Sequence, residues 1–93
     1  MFKRILKRMR QKIRERQYVM TYHARKEMNE DEFTIYDIER GILTGEIVER
    51  QKDRESGEWK YCVRGETFGT KEVEVVTKLS PTGKLVILTV YVP

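Results

Sequence analysis

Residues 34–48, Thr34-Ile35-Tyr36-Asp37-Ile38-Glu39-Arg40-Gly41-Ile42-Leu43-Thr44-Gly45-Glu46-Ile47-Val48, contain the change of period that decides the fold. Ile35, Ile38 and Ile42 recur at helical spacing and mark the buried face of a helix from Ile35 to Leu43. Thr34 is its cap, with Asp37 at the third helical position in a capping-box-like arrangement. Gly45 fits a left-handed stop after that helix. From Glu46 onward the apolar period falls to two.

Working toward the C-terminus, a strand opens at Ile47-Val48 and runs to about Gln51, and the polar stretch Lys52 to Gly57 turns the chain. Trp59, Tyr61 and Val63 then alternate with Lys60, Cys62 and Arg64. Gly65 to Thr70 reads as a loop around Phe68, after which Val73, Val75, Thr77 and Leu79 alternate with Glu72, Glu74, Val76 and Lys78. Ser80-Pro81-Thr82-Gly83 is a turn, because proline presets φ and glycine permits a positive φ. Lys84 to Val92 is apolar at both parities, which predicts a central strand covered on both faces. The alternation places Trp59, Tyr61 and Val63 in the core. Lys60, Arg64 and Lys78 then share the opposite face, where Glu72 and Glu74 can pair with them across strands. That surface is either a salt-bridged solvent face or a phosphate-contacting one.

Working toward the N-terminus, the β-rich Tyr18 to Thr21 precedes a short helix, roughly Tyr22 to Asn29, with Thr21 as its cap and Glu30-Asp31-Glu32 as a solvated link. His23, the chain's one histidine, falls in the first turn of that helix. Histidine can both give and take protons near neutral pH, its ordinary pKa being about 6.5. Two uses therefore fit His23: acid–base catalysis, or a hydrogen bond that fixes the strand–helix junction. The fold class is α+β, with helices grouped early and packed on one antiparallel meander of about four strands, Tyr18–Thr21 adding an edge.

Ninety-three residues make one domain near the lower limit for an unstapled core. Residues 1–16 carry eight basic groups against Glu15, a net of +7, within a chain whose total is +4. Residues 1–16 are therefore taken as a basic amphipathic helix and 17–93 as a single domain. Phe2, Ile5, Leu6, Met9 and Ile13 form its apolar stripe, and Lys3, Arg4, Lys7, Arg8, Arg10, Lys12 and Arg14 occupy the remaining circumference. Such a helix either docks its stripe on the body or binds an anionic polymer or acidic protein. Its apolar run falls far short of the roughly 20 residues of a membrane span, so no membrane partner is expected. The single Cys62 cannot form an internal disulfide, which suits a reducing cytoplasm. Without CxxC, HExxH or an acidic calcium loop, neither a metal nor a cofactor is expected.

The string Thr21-Tyr22-His23-Ala24, with Met28 following, and the link Leu43-Thr44-Gly45-Glu46-Ile47-Val48-Glu49 together resemble a widespread prokaryotic domain of unknown function. Trp59-Lys60-Tyr61 with Val63 and Gly65, and Val86 to Tyr91, resemble that domain's later strands, so the resemblance covers about residues 17–92. In layout it is similar to the RelE-like and BrnT-like toxins of toxin–antitoxin pairs. The resemblance implies a small, metal-independent endoribonuclease acting on RNA, in particular mRNA, and silenced by an antitoxin protein. In that chemistry a 2′-hydroxyl attacks the adjacent phosphate, which needs a base, an acid and cations for the developing charge. His23 would be base or acid, Arg25, Lys60 and Arg64 would stabilise charge, and Tyr91 would donate a proton or stack on a base. Residues 1–16 lie outside the resemblance; by their charge alone their cations, with Lys78 of the sheet, are candidates to hold the nucleic acid. The alternative is a non-catalytic module that binds nucleic acid or protein through the basic helix. A homodimer stays open.

Overall fold

The computed structural model describes residues 2–93. The elements run α1 (Lys3–Arg14), β1 (Tyr18–Met20), α2 (Tyr22–Glu30), α3 (Ile35–Thr44), β2 (Glu46–Lys52), β3 (Trp59–Glu66), β4 (Glu72–Leu79) and β5 (Leu85–Tyr91). Two threonines start the central helices. Thr21 Oγ1 accepts from the Ala24 amide at 3.1 Å. Thr34 and Asp37 close a full capping box, the Asp37 amide donating to Thr34 Oγ1 and the Thr34 amide to Asp37 Oδ2. The latter bond holds the Asp37 carboxyl below its ordinary range, with the Phe68 amide adding to the effect.

The class is α+β, and the sheet is mixed, in the order β1-β5-β4-β3-β2. β2 to β5 form the antiparallel meander, while β1 lies parallel to β5 at the edge. Side chains from all three helices meet one sheet face in a single core. Met9 and Ile13 of α1, Ala24 and Met28 of α2, and Ile38 and Ile42 of α3 pack with Val63, Val73, Val75, Leu85, Ile87 and Val90. The apolar stripe of α1 therefore docks on the chain's own body. Fully burying side chains of this size is worth about 1.5–3 kcal/mol each, so α1 is integral to stability.

Four expectations are corrected. β5 is flanked by β1 and β4, yet its outer face has no helix over it, and Val86, Leu88 and Thr89 stay partly exposed. Gly65 and Glu66 belong to β3 rather than to a loop, because they continue its pairing with Val73 and Glu72. Trp59 is 40% exposed instead of core, since it lies at the start of β3, beyond the helices that bury Tyr61 and Val63. Gly45 is extended, with φ −91° and ψ −179°, and not left-handed.

Glycine is needed at position 45 for space. A Cβ there would lie 2.5 Å from the carbonyl oxygens of both Arg64 and Gly41, and one on Gly65 would lie 1.9 Å from Gly41 O. The backbones of α3 and β3 are in direct contact at this crossing. The buried end of α3 is closed from outside by Arg10 of α1, whose Nη2 donates to Gly45 O at 2.7 Å and whose Nε donates to Ile42 O at 3.4 Å. A cation at a helix C-terminus satisfies orphan carbonyls and complements the helix dipole.

Candidate nucleic-acid interface

Lys3, Lys7, Arg10 and Arg14 recur at spacings of four, three and four, so they form one row along α1. This row lines a cleft of about 550 Å³, with Leu6 as its apolar wall and Glu46 opposite. Arg10 also donates to the carbonyls at the end of α3, so its guanidinium has a structural engagement that its neighbours in the row lack. The ion pairs among the described residues leave Lys3, Lys7 and Arg14 without a carboxylate within 4.0 Å. Arg4 and Arg8 are exposed on the side of α1 away from this cleft, and Lys12 is half-buried. Like charges three and four residues apart repel along a helix. With Glu46 the one carboxylate lining the cleft and no ion pair to it among the described residues, the row is a net-positive surface suited to an anion.

The residues assigned to catalysis fall into three places. His23 is 68% exposed, and its Nε2 lies 3.3 Å from Glu27 Oε1 one helical turn on. That same oxygen accepts from the Val90 amide at 3.1 Å, which ties the pair to β5. Arg25, two residues along α2 and hence on another side of it, lines a cleft of about 600 Å³ with Arg16, Tyr18, Met20, Met28 and Ile35. Lys60, Arg64 and Tyr91 lie on the helix-free face of the sheet. β1 and β3 are three strands apart, roughly 14 Å at the usual strand spacing. The sheet cations and the Arg25 cleft are thus separate surfaces.

The sheet cations are engaged. Arg64 grips Glu74 with Nη2 at 2.6 Å and Nε at 2.8 Å. Lys78 pairs with Glu58 at 2.7 Å, and Lys60 approaches Asp53 at 3.9 Å. This is the salt-bridged face, set by the register that puts Arg64 directly opposite Glu74. Around Glu74 the register also gathers two residues whose association the alternation alone did not reveal. Cys62 Sγ donates to Glu74 Oε1 at 3.4 Å and lies 3.7 Å from the Tyr91 hydroxyl. Contact with Tyr91 first, then with Arg64 and Cys62, holds the Glu74 carboxyl below its ordinary range. Contact with Glu74 first, then with Cys62, raises the Tyr91 hydroxyl, and burial raises the Cys62 thiol. Tyr91 thus belongs to the group gathered around Glu74 and is itself still partly exposed.

The loop-side end of β2 and β3 carries a group that sequence reasoning missed. Arg50 stacks over Trp59 at 4.2 Å and faces Phe2 at 5.7 Å, while Lys52 lies 5.8 Å from the Trp59 ring. Phe2 in turn meets Tyr61 edge-on, with ring centroids 6.1 Å apart. The signal was the pairing of Lys52 with Trp59, which becomes visible only once the hairpin register is known.

A family model described as "Domain of unknown function (DUF4258)" matches residues 20–92. The chain belongs to the DUF4258 family. None of the curated proteins or solved structures compared with it matches. The matched span begins within β1 and includes α2, α3 and the whole meander, so α1 and its cation row lie outside the part shared with the family model. Among the described residues, no three His, Cys, Asp or Glu side chains are grouped to hold a metal ion. No described helix is long and apolar enough to cross a membrane.

Proposed function

We propose that this DUF4258 protein binds RNA through α1. The observation that carries this is the row Lys3, Lys7 and Arg14, unpaired along a cleft and held rigid because the apolar side of the same helix is anchored in the core. Because the helix backbone is already docked, RNA binding need order only the cationic side chains, and releasing counterions from the polyanion drives association. The body contributes little attraction, because residues 17–93 net −3. A buried free Cys62 suits a reducing cytoplasm, where RNA is met.

The test is fluorescence anisotropy of labelled single-stranded RNA against salt, for wild type and for Lys3→Gln/Lys7→Gln/Arg14→Gln. The plot of log affinity against log salt should flatten by about 2, three lost contacts at about 0.7 each. An unchanged slope and affinity would remove α1 from the interface. Truncation of residues 1–16 is unsuited to this purpose, since it strips Met9 and Ile13 from the core.

A second reading, a toxin-type and metal-independent endoribonuclease with an antitoxin partner, is favoured by the His23–Glu27 pair. An exposed imidazole oriented by a carboxylate can take the 2′-hydroxyl proton or protonate the leaving 5′-oxygen. Cleavage of labelled RNA in EDTA by wild type, and its loss in a folded His23→Ala variant, would support this reading. Cleavage by neither protein would leave α1 as a binding element alone.

A further inference from the structure

The cleft along α1 continues past Lys3 into a second one lined by Phe2, Leu6, Glu46 and Ile47, so the cation row leads toward the aromatic end of the molecule. There Phe2 is the joint: its ring packs on Tyr61 and faces the Arg50 guanidinium, which lies over Trp59. We propose that Trp59, flanked by Arg50 and Lys52, is a stacking site for an unpaired base of a single-stranded RNA whose phosphates follow Lys3, Lys7 and Arg14. This rests on the RNA-binding reading above and adds to it the strand class and the base contact.

Three observations carry it. Trp59 is 40% exposed in a small protein whose neighbouring Tyr61 is 7% exposed, so the indole is not spent on core packing. It carries two cations close to its ring, Arg50 and Lys52, neither of which forms an ion pair among the described residues. An aromatic ring with cations outside ion pairs at the end of a basic groove is the combination used for single strands; here a base would stack on the indole face that Arg50 does not cover, or on the Arg50 guanidinium plane itself. Finally, the row from Lys3 to Arg14 spans about 16 Å at the helical rise, enough for several nucleotides before the strand reaches the indole. A duplex keeps its bases stacked inside and cannot offer one.

Trp59 is the chain's one tryptophan, so its fluorescence reports the site directly in the full-length protein. We would titrate wild type with oligouridine, with an RNA duplex of equal length and with polyglutamate, following Trp59 emission and, for the two RNAs, anisotropy of the labelled strand. Oligouridine should quench Trp59 at saturation, whereas duplex and polyglutamate should leave it largely unchanged. Trp59→Ala should weaken oligouridine binding about fivefold or more while leaving the salt slope intact, and Trp59→Phe should recover much of the loss. If anisotropy shows oligouridine bound but emission does not change, the stacking proposal fails and α1 binding stands. Equal quenching by polyglutamate or duplex also overturns it, because charge alone would then explain the signal. No binding by any measure refutes both.

Discussion

Replacing Arg10 by Met separates its contact with the end of α3 from the RNA-binding role proposed for the cations beside it. Met retains an unbranched apolar stem against α3 and removes only the guanidinium. The lost bond to Gly45 O is short, at 2.7 Å, and ends on a buried residue, so its carbonyl is left without its partner. A bond from a charged donor is worth about 1.5–3 kcal/mol. The second bond, to Ile42 O at 3.4 Å, lies at the long end of hydrogen-bond geometry and adds little. Loss of the cation–dipole interaction brings the expected cost to about 2–3 kcal/mol. With a urea m-value of about 1.3 kcal/mol/M, the unfolding midpoint should fall by roughly 1.5–2.3 M. Urea titration followed by far-ultraviolet circular dichroism measures this, and anisotropy measures RNA affinity in the same variant at low denaturant. The salt slope should stay at the wild-type value, unlike that of Lys7→Gln. A midpoint shift below about 0.3 M together with a slope reduced by about 0.7 would show Arg10 to be a phosphate contact, and the capping argument would be refuted.

Other consequences follow from the same geometry. Gly65→Ala forces a Cβ to within 1.9 Å of Gly41 O, so α3 and β3 must separate; a loss of about 3 kcal/mol or more is expected, and a change under 1 kcal/mol would contradict the close crossing. Glu74 has a folded-state pKa below its unfolded one, so its contribution is present above about pH 4.5 and is lost as the pH falls through the lowered value. Urea midpoints from pH 6 to 3 should therefore drop more steeply for wild type than for Glu74→Gln, and parallel curves would rule this out. Glu27→Gln should preserve the Val90 hydrogen bond through its amide oxygen yet weaken the orientation of His23. A metal-independent cleavage activity, if measured, should fall in that variant while RNA affinity holds; undiminished cleavage would detach Glu27 from the chemistry.

What the sequence determined was local. The capped helices at Thr21 and Thr34, the two-residue alternation after Gly45, and the Ser80–Gly83 turn depend on bonds and φ angles within a few residues. So does the apolar stripe of α1. These are enough for the α+β class and for the basic helix. What only the tertiary structure decided depends on register and on which surfaces meet. Gly45 looked like a helix stop, but its role is fixed by the Arg64 carbonyl of a strand nineteen residues on. Arg10 looked like its neighbours in the cation row until α1 docked with that one guanidinium against the end of α3. Trp59 alternates with Tyr61 and Val63 and shares their sheet face, but how far the helices reach along β3 decides which of the three is buried. His23, Arg25 and Arg64 were read together by chemical type, whereas direction around α2 and distance across the sheet place them on different surfaces. Residue type and period are properties of a segment, while the company a side chain keeps is set by contacts between segments far apart in the chain.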